Sequence, residues 1–313
     1  MALRDFSREE LIELFNSRLL SDRAASNSYL AELKNYLDVS LDRLLFTVEL
    51  IKRHYHIKKG KILEIGSFPF FLTTALLELS DDEITGIIAP PGIWPGMAYE
   101  IKKDATEIRA TGKYYHFTCW TLNVEKDRFP FNDKSFDMVL CTEVIEHLIQ
   151  SPAHMIWEMN RVLKDNGLSI ITTPNGLYWR IIYNLLFYGT WEHYSKYGVY
   201  SRHNRLWALS ELEDILAGNN FEIHESICNY AHLRAKKLEF ATKNRVTLVN
   251  LVQDTFLLFF RLLVKFPIPF LKKKDGDQLY VIARKIGRSG HYCPECLNST
   301  KFCHNLETNE ISI

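Results

Sequence analysis

The chain has 313 residues, with 38 Lys+Arg balanced by 38 Asp+Glu, and is 47% hydrophobic and 13% aromatic. That composition is globular, and at roughly 150 residues per domain the length suggests about two domains, or one α/β unit with insertions. The zero balance speaks against a generally basic nucleic-acid binder and against an acidic disordered tail. The first ten residues hold no apolar run behind a basic flank, so no secretory signal is expected and a cytoplasmic chain is the default. Of the six cysteines, Cys119, Cys141 and Cys228 sit in or beside apolar segments and only Cys293, Cys296 and Cys303 cluster, which is no disulfide framework.

Residues 1–60 read as an N-terminal helical cap. Ser7-Arg-Glu-Glu10 fits a capping box, and Leu41, Leu44, Leu45, Val48 and Ile51 recur at helical spacing. From Lys61 short apolar runs alternate with helical stretches. Strands are predicted over Lys61–Ile65, Ile84–Ala89, Phe136–Cys141 and Leu168–Thr173, with helices near 70–79, 97–110 and 152–163. This alternation predicts a parallel sheet covered on both faces. The turn Asp165-Asn166-Gly167 reads as a helix stop and re-entry into the sheet.

Residues 176–209 are rich in Tyr and Trp without clear periodicity, an insertion of the kind that walls a pocket. Ser210–Ala217 reads as a capped helix and Phe221–His224 as a strand. Residues 246–266 predict a strongly apolar helix whose Asn250, Asp254, Arg261 and Lys265 share one polar stripe, which argues against a membrane span and suits a core or a membrane interface. Gln278–Lys285 reads as a last strand. The domain plan is therefore a cap over 1–60, an α/β domain over 61–288 and a cysteine-containing tail over 289–313.

Two segments carry the chemistry. The first, Leu63-Glu64-Ile65-Gly66-Ser67-Phe68-Pro69-Phe70, is a strand ending in an acid and a glycine and turning into a helix, a place where a nucleotide-like ligand meets the carboxyl edge of a sheet. The second runs from Asn123 through Ser135-Phe-Asp-Met-Val-Leu-Cys-Thr-Glu143-Val-Ile-Glu146-His147 to Arg161-Val-Leu and Thr172-Thr-Pro-Asn175. In this order and spacing the segments resemble class I S-adenosylmethionine-dependent methyltransferases, in particular the branch that methylates oxygen on glycans and quinones. The resemblance covers roughly residues 60–225 and the last strand.

The resemblance implies an α/β, Rossmann-like class I sheet with an N-terminal helical cap and a C-terminal helical insertion. It places Glu64 and Gly66 in the loop beneath the methionine part of S-adenosylmethionine and Asn123 at the adenine amine, with Ser67, Val124, Thr142 and Glu143 in the same cofactor-binding set. Phe68 and Phe70 stand where the family has further glycines. Ile88-Ala89-Pro90 stands where it has an acid for the ribose hydroxyls.

At i, i+3 and i+4 of a helix, Glu143, Glu146 and His147 would project from one face and could share a cation, with His203 of Ser201-Arg-His-Asn-Arg205 as a fourth ligand. The set resembles the metal site of small-RNA 2′-O-methyltransferases, and Glu-x-x-Glu-His resembles quinone-pathway enzymes that use Mg²⁺; Mg²⁺ or Mn²⁺ would then activate a substrate hydroxyl. Without a metal, His147 or His203 is the candidate general base. Cys293-Pro-Glu-Cys296 with Cys303 and His304 could bind a structural Zn²⁺.

The expected activity is O-methylation of a sugar, glycan or lipid-linked hydroxyl. The alternatives are a metal-dependent RNA 2′-O-methyltransferase, which no RNA-binding module accompanies, and a non-catalytic interaction protein with a degenerate cofactor loop. Residues 231–288 hold 13 Lys+Arg against 4 Asp+Glu, a local +9 inside the neutral total. This basic edge predicts peripheral membrane contact through 246–274 and favours a lipid-linked or phosphorylated substrate over nucleic acid.

Overall fold

A computed structural model of the chain describes residues 3–21, 27–90, 99–189, 203–230 and 276–287. The predicted apolar helix 246–266, the basic 246–274 stretch, most of the Tyr- and Trp-rich run after Gly189 and the Cys293–His304 tail lie outside the described residues.

Among the described residues eight strands form one mixed sheet: β1 (Lys61–Ile65), β2 (Glu83–Ile88), β3 (Lys102–Ala110), β4 (Lys113–Thr121), β5 (Phe136–Thr142), β6 (Leu163–Pro174), β7 (Phe221–Asn229) and β8 (Gln278–Lys285). Their spatial order is β3-β4-β2-β1-β5-β6-β8-β7. The run β4-β2-β1-β5-β6 is parallel, while β3 and β8 are antiparallel to their neighbours.

Helices α1 (Arg8–Ser21), α2 (Asn27–His54) and α3 (Phe71–Leu79) lie on one face, and α4 (Ala153–Val162) and α6 (Leu209–Ala217) on the other. The strands alternate between the two cores. Ile62, Met138, Leu140, Ile170 and Tyr280 pack with α1–α3, whereas Leu63, Val139, Cys141, Ile171 and Val281 pack with α4 and α6. Burial on both faces explains why these strands read as continuous apolar runs rather than as alternating ones. The capping box is formed: the Ser7 N–H donates to Glu10 Oε2 at 2.6 Å and the Glu10 N–H to Ser7 Oγ at 3.1 Å.

Three local expectations are corrected. The predicted helix near 97–110 is the edge strand β3, joined to β4 in a hairpin whose Ala110 pairs with Lys113. Thr111 and Gly112 both have positive φ, at 49° and 76°, the mark of a two-residue turn that matches strand twist. Asp165-Asn166-Gly167 is no separate turn but a bulge within β6, whose pairing with β5 shifts register between Phe136 and Met138. The stretch taken as aperiodic contains a helix, α5 (Trp179–Tyr188).

Candidate functional site

The carboxyl ends of β1, β2, β4 and β5 surround a cavity of about 560 Å³. Its walls are apolar, from Ile65, Phe68, Ile87, Ile88, Pro90, Leu122, Val124, Val144 and Leu148, and Gly66, Asn123, Glu143 and His147 supply the polar or open positions. The parallel sheet dictates the place, because helices on both faces leave the ends of the strands as the open crevice.

The turn after β1 is built for close approach. Gly66 has φ +76°, and a Cβ there would stand 2.3 Å from Val144 Cγ2. The N–H groups of Gly66 and Ser67 both donate to the Ile87 carbonyl, at 2.8 and 3.1 Å. Ser67 is buried, with its hydroxyl 3.4 Å from that same oxygen. The two aromatics that replace glycines do not fill the cavity. Phe68 stands 52% exposed on its wall, and Phe70 packs edge-on to Phe68 and to Phe117 at 5.6 and 5.4 Å.

Glu64 is buried on the α3 side of β1, where Thr73 Oγ1 donates to its Oε2 at 2.5 Å. Burial, only partly offset by that hydrogen bond, pushes its carboxyl up to about 8. Asn123 forms a local turn, accepting the Glu125 N–H on Oδ1 at 2.9 Å while its own N–H donates to Asp127 at 2.7 Å.

After β5 the chain does not continue as a helix. Glu143 takes φ 55°, and only Ile145–His147 form a single 3₁₀ turn, so the helical i, i+3, i+4 face expected of Glu143, Glu146 and His147 does not exist. The Glu143 Oε1 accepts Thr172 Oγ1 at 2.8 Å and the Gln278 amide, and its Oε2 faces the Nε of Arg43 at 3.8 Å. Burial alone would pull the Arg43 guanidinium down, but the Glu143 charge and Tyr36 more than reverse it and hold Arg43 above its ordinary value.

Glu146 is fully buried, with Oε2 accepting Thr173 Oγ1 at 3.0 Å. Among the described residues its Oε1 has no hydrogen-bond partner, and it lies 3.8 Å from His147 Nε2. Burial first, and the Glu143 charge second, raise the Glu146 carboxyl well above the usual carboxylate range. His203 reaches the same place because the irregular run 203–207 is strapped to the 3₁₀ turn. The N–H groups of Asn204 and Arg205 donate to the Glu146 carbonyl at 2.7 and 3.2 Å, and Asn204 Nδ2 donates to the His147 carbonyl at 2.7 Å. The two imidazoles stand 5.1 Å apart, and ligand atoms of Glu146, His147 and His203 all lie within 4.8 Å of one another.

The predicted site residues thus separate into groups. Gly66, Asn123, Val124, Glu143 and His147 line one cavity, and Glu146 and His203 join His147 beside it. Glu64, Ser67 and Thr142 are buried behind the wall. Glu143 stands outside the cluster of Glu146, His147 and His203. The sequence reading missed Arg43, Thr172 and Gln278 as its partners. Ser40, Arg43 and Thr47 are buried polar residues on the inner side of α2, and that row is legible only once the helix's buried face is known.

Residues 77–171 match the family described as "Methyltransferase domain". The Ubiquinone biosynthesis O-methyltransferase of Rickettsia bellii (strain OSU 85-389) is 33% identical over 135 residues, covering 42% of this chain and 50% of that protein. That of Rickettsia typhi is 32% identical over 135 residues, covering 42% and 49%. The chain spans about half the length of the curated relatives it matches. Among solved structures, the Haemonchus contortus phosphoethanolamine N-methyltransferase 2 in complex with S-adenosyl-L-methionine aligns with a TM-score of 0.47 at 14% identity, over 77% of this chain and 52% of that one.

Proposed function

We propose that this chain, which carries a class I methyltransferase domain, binds S-adenosylmethionine at the carboxyl edge of its sheet and methylates an oxygen of a lipid-linked hydroxyl substrate. The observation that carries the reading is one sheet edge that joins the apolar cavity under Gly66 to the cluster of Glu146, His147 and His203. The cavity suits the cofactor: about 560 Å³ of mostly apolar space, opened at a glycine where a Cβ would meet Val144. Gly66, Asn123 and Val124 would hold the cofactor, which supplies an electrophilic methyl on a sulfonium. The chain's own work is then alignment and exclusion of water.

Glu146, His147 and His203 fit a divalent cation, because the buried Glu146 Oε1 lacks a hydrogen-bond partner among the described residues and ligand atoms of the carboxylate and the two imidazoles lie within 4.8 Å of one another. One carboxylate and two imidazoles suit Mn²⁺ in a mixed oxygen and nitrogen set, and suit the harder Mg²⁺ less well; a cation held there would lower the pKa of a substrate hydroxyl. In its absence His147, on the cavity wall with His203 against it, is placed to take the hydroxyl proton.

The lipid-linked substrate class is supported by the likeness to relatives named for ubiquinone biosynthesis. The basic, apolar stretch 246–274, outside the described residues, would serve such a substrate at a membrane surface. No helix among the described residues is long and apolar enough to cross a membrane. The sugar reading rests on Trp191–Trp207, most of which also lies outside the described residues. Calorimetric titration with S-adenosylmethionine should give saturable heat, and none at millimolar cofactor would sink the proposal. Transfer of labelled methyl to a polyprenylated catechol, but not to free sugars, should require Mn²⁺ or Mg²⁺. Full activity in excess chelator would remove the cation from the mechanism.

A further inference from the structure

We infer that Arg43 of α2 is a positioning residue that holds the Glu143 carboxylate off the cation cluster, so that the cluster closes at three protein ligands, Glu146, His147 and His203. The inference rests on the cation reading above and adds to it which carboxylate is withheld, and by what.

Glu143 and Glu146 come from the same turn, yet two successive threonines of β6 take them to opposite faces of the sheet. Thr172 donates to Glu143 at 2.8 Å and Thr173 to Glu146 at 3.0 Å. Neighbouring strand residues point to opposite faces, so the two carboxylates are parted by the pleat itself. On its own face Glu143 also accepts the amide of Gln278, which is fully buried on β8, and meets Arg43.

Arg43 has few ways to move. The residue is buried at 3% exposure, its Nε faces Glu143 Oε2 at 3.8 Å, and a terminal nitrogen donates to Tyr36 Oη at 3.1 Å. Tyr36 is itself stacked on Phe71 at 6.2 Å, at the start of α3. Turning Glu143 toward a cation would strip a buried guanidinium of its counter-charge, and removing one partner of a buried pair is the costly case. The pair therefore acts as a latch that keeps a second carboxylate, which would be a fourth ligand, out of the cluster while leaving its charge on the cavity wall.

The test is Mn²⁺ binding to the full chain, read by calorimetry and by the Mn²⁺ electron paramagnetic resonance signal. Glu143→Gln should change the Mn²⁺ Kd by less than about threefold, whereas Glu146→Gln and His203→Ala should each weaken it by about tenfold or more. Arg43→Met should tighten Mn²⁺ binding by about threefold or more by freeing Glu143, and Arg43→Met/Glu143→Gln should cancel the gain. Arg43→Lys should restore the wild-type affinity. A tenfold or greater loss in Glu143→Gln would overturn the inference, as would a gain that persists in the double variant, since that would come from deleting a positive charge alone. Should Arg43→Met fail to fold, Glu143→Gln decides by itself. A wild-type chain that binds no Mn²⁺ defeats the cation reading instead, and that result is read before any variant is made.

Discussion

The turn after β1 and the turn after β5 leave the same sheet edge as neighbours, close enough that a side chain at Gly66 would strike Val144. They dispose of their polar groups in opposite ways. Each is backed by a buried glutamate that accepts a threonine hydroxyl, Glu64 from Thr73 and Glu146 from Thr173. Behind the first turn, Gly66 and Ser67 spend their N–H groups on the Ile87 carbonyl, and the aromatic pair Phe68 and Phe70 shapes the outside. The second turn leaves Glu146 Oε1 without a hydrogen-bond partner among the described residues, and it carries one imidazole, His147, beside that oxygen while the run 203–207 brings a second, His203. A turn whose polar groups are spent internally can offer a ligand shape alone. A turn that keeps a buried acceptor unsatisfied is stabilised by whatever cation or proton arrives there, and the proposed chemistry lies at the second for that reason.

Breaking the second turn should have the largest effect. Glu146→Ala is expected to lower the cation-stimulated methyl-transfer rate by about a thousandfold, roughly 4 kcal/mol of barrier, while leaving S-adenosylmethionine affinity within about threefold. Steady-state rates with and without Mn²⁺, beside a cofactor titration, check this. A rate that still rises with Mn²⁺ would put the cation elsewhere.

The glutamate behind the first turn should instead declare itself in stability. Its carboxyl stays neutral in the folded chain up to about 8, against 4.5 for the ordinary group, so the unfolded chain loses the proton first as pH rises. The contribution is therefore full below about pH 4.5 and is lost as pH climbs through 8. Glu64→Gln should flatten this slope and leave the variant more stable than wild type at pH 8.5, by on the order of 3 kcal/mol. Urea unfolding at pH 5, 7 and 8.5 measures it, and parallel pH profiles for the two chains would reject the assignment.

How far these turns could be read beforehand depends on which physical signal each one leaves in the sequence. Both-face burial makes an apolar run, so β1 and β8 have the expected limits and β5 and β6 the expected centres. The first turn's glycine was legible for the same reason, at the end of such a run. Lys102–Ala110 misled because an edge strand with one solvated face carries charges on most positions, and its true signal was the Thr111-Gly112 turn. Glu143, Glu146 and His147 were legible as a chemical group but not as a geometry. Helical spacing presumes a helix, and the positive φ of Glu143 breaks it. Arg43 lies 100 residues before its partner, and nothing local to either residue marks the pair. His203 was found from its residue type, although its position depends on backbone bonds from Asn204 and Arg205 that no spacing encodes.

Removing the open space of the first turn should cost less than removing the charge of the second. Gly66→Ala places a methyl where Val144 Cγ2 stands and forces a left-handed φ on an alanine, a destabilisation of about 2 kcal/mol together with a weaker cofactor. Val144→Ala in the same chain should recover the steric part but not the backbone part. Thermal unfolding of the single and double variants separates them, and no recovery in the double variant would show that the contact with Val144 is not what the glycine serves.

The smallest effect is the one that most sharpens the contrast between the turns. Ser67 stands next to Gly66 and was expected among the cofactor ligands, yet its hydroxyl points inward, 3.4 Å from the Ile87 carbonyl and 4.0 Å from Cys119 Sγ. A hydrogen bond that long contributes little, so Ser67→Ala should cost less than about 1 kcal/mol of stability. If the first turn offers only shape, S-adenosylmethionine affinity should also stay within about twofold, because the lost oxygen faces the protein and not the cavity. A tenfold weakening in calorimetry would mean that the hydroxyl turns outward to the ligand. The first turn would then supply a polar contact as the second does, and the division of labour between them would fail at its least expensive residue.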